Sequence, residues 1–72
     1  MNFNIGQQVT VGKVGKDPGG TGEVTRIKSD VTRDGANVQL RVDIHGNPKQ
    51  DAAREKKGKK HRGFWYDAAV AN

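Results

Sequence analysis

Six basic side chains and a histidine crowd into the nine residues from Arg54 to Arg62, and three aromatics, Phe64, Trp65 and Tyr66, follow almost at once. Lysine and arginine at this density can neutralise phosphates and release the counterions condensed on a nucleic acid, each contact on duplex DNA adding roughly 0.9 to the salt slope. An aromatic beside them can stack a base, which is worth about 1–3 kcal/mol. The pattern points to Lys56, Lys57, Lys59, Lys60 and Arg62 as phosphate contacts, with Arg54 and Lys49 outlying. Trp65 is the expected stacking residue and Tyr66 the second. Arg26, Lys28 and Arg41 could extend the surface, though acids nearby in the sequence balance them. From Lys49 to Arg62 lysines outnumber arginines five to two. A lysine is a point charge and cannot fork onto a guanine, so backbone contact without sequence specificity is expected, to RNA or to DNA.

The charge is lopsided. Residues 45–63 hold seven basic side chains against Asp51 and Glu55, whereas the rest of the chain holds six of each sign. The entire excess of +5 therefore sits in one segment. A charged segment on a neutral body concentrates its field on one edge and steers encounter. The bland alternative is a solubilising loop on a protein-binding module. In that reading the chain is a small accessory factor, of the kind phages and mobile elements carry, docking by an exposed strand edge or an aromatic patch.

Catalytic chemistries find little support, and no enzyme is expected. Cysteine is absent, which removes disulfides, thiolate ligands and a thiol nucleophile. The single serine, Ser29, lies beside Asp30 with no histidine near it in sequence. Asp43, His45 and His61 form the one conceivable metal cluster, one ligand short of a structural zinc site, so no metal or cofactor is expected. In "GKVGKDPGG" no Ser or Thr follows either Gly-Lys pair and no helix follows the loop, so these are turn glycines rather than a phosphate cradle.

The elements that would position these residues are short. Val9 and Val11 flank Thr10 with the period of a half-buried strand. "GKVGKDPGGTG" is a loop, and "EVTRIK" a second strand whose Val24 and Ile27 share a face only if a bulge lies between them. Asp34-Gly35 marks a hairpin, and Val38, Leu40, Val42 and Ile44 alternate cleanly in the strand after it. From His45 to Gly63 no apolar side chain exceeds alanine, so the segment is expected to be a long flexible basic loop, with at most a helical turn capped by Asp51. "GFWYDAAV" closes the chain as an aromatic strand and a turn capped by Asp67. Phe64 and Tyr66 share one face and Trp65 takes the other. The expected core comprises Phe3, Ile5, Val9, Val11, Val24, Ile27, Val38, Leu40, Val42, Ile44, Val70 and at least one of Phe64 and Tyr66.

At 72 residues this is one domain, residues 1–72, with a thin core, since a chain of this size buries only roughly 60% of its unfolded surface. Its mean hydropathy of −0.88 is polar for a globular chain. The start, "MNFNIGQQ", lacks the basic and apolar regions of a signal peptide, and no apolar run approaches the about 20 residues of a membrane span, so a soluble cytoplasmic protein is expected. Four or five short strands with Gly-rich turns indicate an all-β fold, a small antiparallel barrel.

Residues 9–30, "VTVGKVGKDPGGTGEVTRIKSD", with "NVQLRVDI" at 37–44, resemble the KOW motif of SH3-like barrels in ribosomal proteins and NusG-type transcription factors. The likeness rests on an alternating strand, a Pro/Gly loop, Gly22 before Val24 and Ile27, and a second alternating strand. It extends over roughly Val9 to Val70, because "GFWYDAAV" is similar to the last strand and turn of many SH3-like domains. It implies an SH3-like barrel of about five strands with a nucleic-acid partner. The long basic loop after Ile44 is a departure to which the family pattern assigns no role. The ending "WYDAAVA" is also faintly similar to plasmid-borne dihydrofolate reductases of the SH3-like kind, but Phe64-Trp65-Tyr66 does not reproduce their active-site signature.

Overall fold

The computed structural model describes residues 3–32 and 35–72. Strands β1 (Gln8–Val11), β2 (Gly20–Thr32), β3 (Gly35–Ile44) and β4 (Phe64–Asp67) form one antiparallel sheet in the order β1-β2-β3-β4. A helix, α1 (Pro48–Lys57), and a 3₁₀ turn (Gly58–Lys60) lie between β3 and β4, and a second 3₁₀ turn (Ala68–Val70) follows β4. Among the described residues, no helix is long and apolar enough to cross a membrane.

The protein is mostly antiparallel sheet, as its turn-rich alternating sequence requires, but the sheet does not close into a barrel. The last residues make only a brief return to β1. Ala71 bridges Val11, and Thr10 and Asn72 exchange N–H···O bonds of 2.9 Å in both directions. Asp67 caps the preceding turn as expected, its Oδ1 accepting from the Ala69 N–H at 2.9 Å.

The hairpin of β2 and β3 runs in register from Gly22↔Ile44 to Thr32↔Gly35. The Asp34-Gly35 turn predicted from sequence falls partly on residues 33–34, outside the described residues. A bulge interrupts the pairing between Val24 and Arg26, where the Val24–Ile27 spacing requires one. It places Ile27 opposite Leu40, on the face Val24 occupies opposite Val42. Gly22 crosses so close to β3 that a Cβ there would lie 2.3 Å from the Asp43 carbonyl oxygen.

Val9, Val11, Val24, Leu40, Val42, Ile44, Tyr66 and Ala71 are buried, with Phe3, Val38, Phe64, Ala68 and Val70 packed against them. Each fully buried valine, leucine or isoleucine contributes about 1.5–3 kcal/mol. Two expected core residues lie outside. Ile5 sits in the turn before β1 and is 67% exposed. Ile27 faces the core side but lies beyond the stretch of β2 that β1 covers, residues 20–23, and remains 36% exposed.

The largest departure is residues 45–63. The expected flexible loop is instead a ten-residue helix and a 3₁₀ turn, and its N-cap is Asn47, not Asp51. Asn47 Oδ1 accepts from the backbone N–H groups of Lys49 and Gln50 at 2.9 and 3.0 Å. Pro48 occupies the first turn, where its missing N–H costs nothing. Gly58 ends the helix at φ 57°, its N–H returning to the Arg54 carbonyl. An acid in the first turn (Asp51) and bases in the last (Arg54, Lys56, Lys57) suit the helix dipole.

Candidate nucleic-acid interface

α1 is held to the sheet by polar side chains rather than by an apolar stripe. Gln50 is completely buried. Its Oε1 accepts from the Ile44 N–H at 2.9 Å, and its amide nitrogen donates to the Val42 carbonyl at 2.9 Å and the Tyr66 hydroxyl at 3.0 Å. His61 Nε2 also lies 3.1 Å from Gln50 Oε1. Since that oxygen can only accept, His61 carries its proton on Nε2. The Tyr66 hydroxyl in turn donates to Asp17 Oδ2 at 2.8 Å, and the Asn47 amide donates to Asp17 Oδ1 at 2.7 Å. One hydrogen-bonded chain thus joins the Pro/Gly loop, β3, α1 and β4.

Titration of these groups follows from their surroundings. Burial lowers His61 below its ordinary 6.5, reinforced by the charges of Arg54, Arg41 and Lys57 and opposed by Asp43. Burial, with the Asp17 hydrogen bond and charge, pushes Tyr66 up to about 12. Burial alone would raise Asp17; the Gly19 N–H, Asn47, Tyr66 and the Lys49 charge outweigh it and hold the carboxyl below its ordinary value.

The expected ligand-binding residues divide sharply. Arg54 is engaged internally: it donates to Asp43 and Asp51 at 2.5 Å each and to the Ile44 carbonyl at 3.1 Å. The Asp43 hydrogen bond is the first cause that raises its pKa. Tyr66 is only 5% exposed with its hydroxyl bonded on both sides, so it offers no ring face for stacking. Lys49 is exposed near the start of α1, where its charge acts on Asp17. Lys56, Lys57, Lys59, Lys60 and Arg62 are exposed, and among the described residues no acid lies within ion-pair distance of any of them. Trp65 is 41% exposed on the outer face of β4.

Comparison of the chain with protein-family models, with curated proteins and with solved structures finds no match. What the surface can do therefore rests on its own geometry.

Asp43 does gather the two histidines considered as metal ligands. His45 Nε2 lies 3.9 Å from Asp43 Oδ2, and His61 Nε2 lies 3.7 Å from Oδ1. The Arg54 guanidinium already occupies that Oδ1 and sets a fixed positive charge where a cation would sit. Among the described residues, no group of three or more His, Cys, Asp or Glu is placed to hold a metal ion.

One grouping was only partly legible in sequence. Arg26, Arg41 and Arg62 line a groove of about 310 Å³ with Ile5 and Thr25 on the outer side of the sheet. Arg26 and Arg41 are cross-strand partners, and Arg41 is in turn the partner of Trp65. The signal was the Val24–Ile27 spacing: the bulge it demands turns Arg26 outward. Arg62, which seemed part of the basic segment alone, joins this groove because Thr25 Oγ1 lies 2.5 Å from its carbonyl oxygen.

Proposed function

We propose that the protein is a non-catalytic nucleic-acid-binding module that contacts the phosphate backbone of RNA or DNA without sequence specificity. Lys56, Lys57, Lys59, Lys60 and Arg62 supply the contacts and Trp65 adds a stacking face. The observation that carries this reading is the division of labour in residues 45–63. Arg54 is taken up by Asp43 and Asp51, whereas the four lysines after it have no acidic partner among the described residues. They cluster in the last turn of α1 and the 3₁₀ turn beyond, next to the helix's own caps, so they are displayed on an ordered support. Ordering them beforehand lowers the entropy lost on binding.

The KOW-like resemblance of residues 9–70 agrees with a nucleic-acid partner. In this reading the four strands and the C-terminal return to β1 form an SH3-like unit with a helical insertion. Docking on a protein by a strand edge is the competing reading, and β1's edge is already occupied by residues 70–72. Salt separates the two. Five phosphate contacts on duplex DNA predict a slope of about −4.5, so affinity should fall on the order of 500-fold between roughly 50 and 200 mM salt. Binding that ignores salt, or a lysine-to-alanine quadruple variant retained on nucleic acid like the parent, rejects the proposal.

A further inference from the structure

We infer that the binding surface extends onto the outer face of the sheet and is there selective for single-stranded nucleic acid, with Arg26 and Arg41 joining Arg62 to hold a backbone phosphate while a base stacks on Trp65. This rests on the nucleic-acid reading above and adds the strandedness of the ligand.

The β2 bulge builds the site. In regular alternation after Val24, Arg26 would point to the core side; the extra residue, Thr25, turns it outward, directly opposite Arg41. Like charges directly opposite on neighbouring strands destabilise a sheet. Among the described residues, no acid lies within ion-pair distance of Arg26, Arg41 or Arg62 to relieve them. An anion in the groove would. The cluster is also held in place. Arg41 Nε donates to the Gly63 carbonyl at 3.1 Å, and the Thr25 hydroxyl lies 3.2 Å from the Arg41 carbonyl oxygen and 2.5 Å from that of Arg62. Arginine, planar and forked, matches phosphate geometry in a way the lysines of α1 do not.

Trp65 decides the strandedness. Cross-strand partners share a face, so the half-exposed indole stands beside Arg41 at the rim of the groove. A stacking aromatic needs a base with a free face, which single strands offer and the interior of a duplex does not.

Trp65 is the chain's only tryptophan, so its emission reports the site directly. A single-stranded oligonucleotide should quench it and bind more tightly than the duplex of the same sequence, which should leave the emission unchanged. Trp65→Leu should weaken single-strand binding by about five- to a hundredfold and so reduce the preference for the single strand. Arg26→Ala should lower the single-strand salt slope by about 0.7. Circular dichroism and thermal melting establish that each variant is folded, and Trp65→Phe, which retains a ring, should bind between wild type and Trp65→Leu. Equal affinity for both forms with unchanged emission, or single-strand preference that survives both Trp65→Leu and Arg26→Ala, overturns the inference and leaves the phosphate-binding reading standing. Binding to neither form at low salt overturns both.

Discussion

Two sets of polar side chains within residues 45–63 behave in opposite ways. Asn47, Gln50, Arg54 and His61 turn inward and each finds a partner: Asn47 on Asp17 of the Pro/Gly loop, Gln50 on Val42, Arg54 on Asp43 and His61 on Gln50. Lys56, Lys57, Lys59 and Lys60 turn to solvent. The inner set does what an apolar stripe does in most surface helices. The contrast teaches that polar side chains can dock a helix where no apolar stripe does, when every buried donor and acceptor is matched, and here no buried side-chain polar atom among the described residues lacks a partner. Such docking leaves the exposed face free to carry charge.

Breaking the inner set should have the largest effect. Gln50→Ala would leave the Ile44 N–H without its partner and remove one from the Val42 carbonyl, Tyr66 and His61. At about 1–3 kcal/mol for each buried group left unsatisfied, a loss of about 3 kcal/mol is expected in urea unfolding. In so small a domain that is a large fraction of the total. The outer set should show the reverse. Replacing Lys56, Lys57, Lys59 and Lys60 by alanine should cut the duplex salt slope by about 3.6 while moving the melting temperature little.

Arg54 lies between the two and sharpens the distinction. Its ion pairs with Asp43 and Asp51 are only partly buried, so Arg54→Ala should cost about 1 kcal/mol of stability, read by thermal melting. It should weaken binding no more than the loss of a distant charge does. If Arg54→Ala instead reduced binding as strongly as Lys59→Ala, the division between anchoring and displayed residues would fail.

The two sets should also differ in their response to pH. His61 is held neutral below its ordinary 6.5, so the unfolded chain binds more protons as pH falls. Stability should be full above that value and decline as pH drops from 6.5 toward the folded-state pKa. Tyr66 sets the alkaline limit: raised from 10 to about 12, it should lose its stabilising contribution as pH climbs through that interval. Urea midpoints across pH should show a plateau between, and His61→Gln should flatten the acid limb.

Much of the sheet was legible. Val9, Val11, Leu40, Val42 and Ile44 alternate because one face of each strand must leave water, and they are buried as that pattern requires. The bulge was legible too, as a broken alternation between Val24 and Ile27. The depth of burial was not, because Ile27 needs a neighbouring strand to cover it and β1 is too short to do so. α1 escaped because helix reading looks for apolar periodicity, and this helix buries Gln50 instead. Its punctuation was present in Asn47-Pro48 and Gly58, an N-cap, an N1 proline and a C-cap glycine ten residues on. Of the candidate site, the exposed lysines and Trp65 were readable from charge density and strand parity. The internal engagement of Arg54 and Tyr66 was not.

Local rules alone were enough to set the strands, the turns, the charge imbalance and the placing of Trp65 on the face opposite Phe64 and Tyr66, since each depends on near neighbours and on the two-residue period of a strand. Only the tertiary structure decided which polar residues became anchors and that three arginines from β2, β3 and the end of the basic segment would share one groove. Those outcomes depend on meetings such as Asp17 with Tyr66 and Thr25 with Arg62, separated by 49 and 37 residues. No local pattern encodes such a pairing, because the free energy of a hydrogen bond depends on whether its partner arrives.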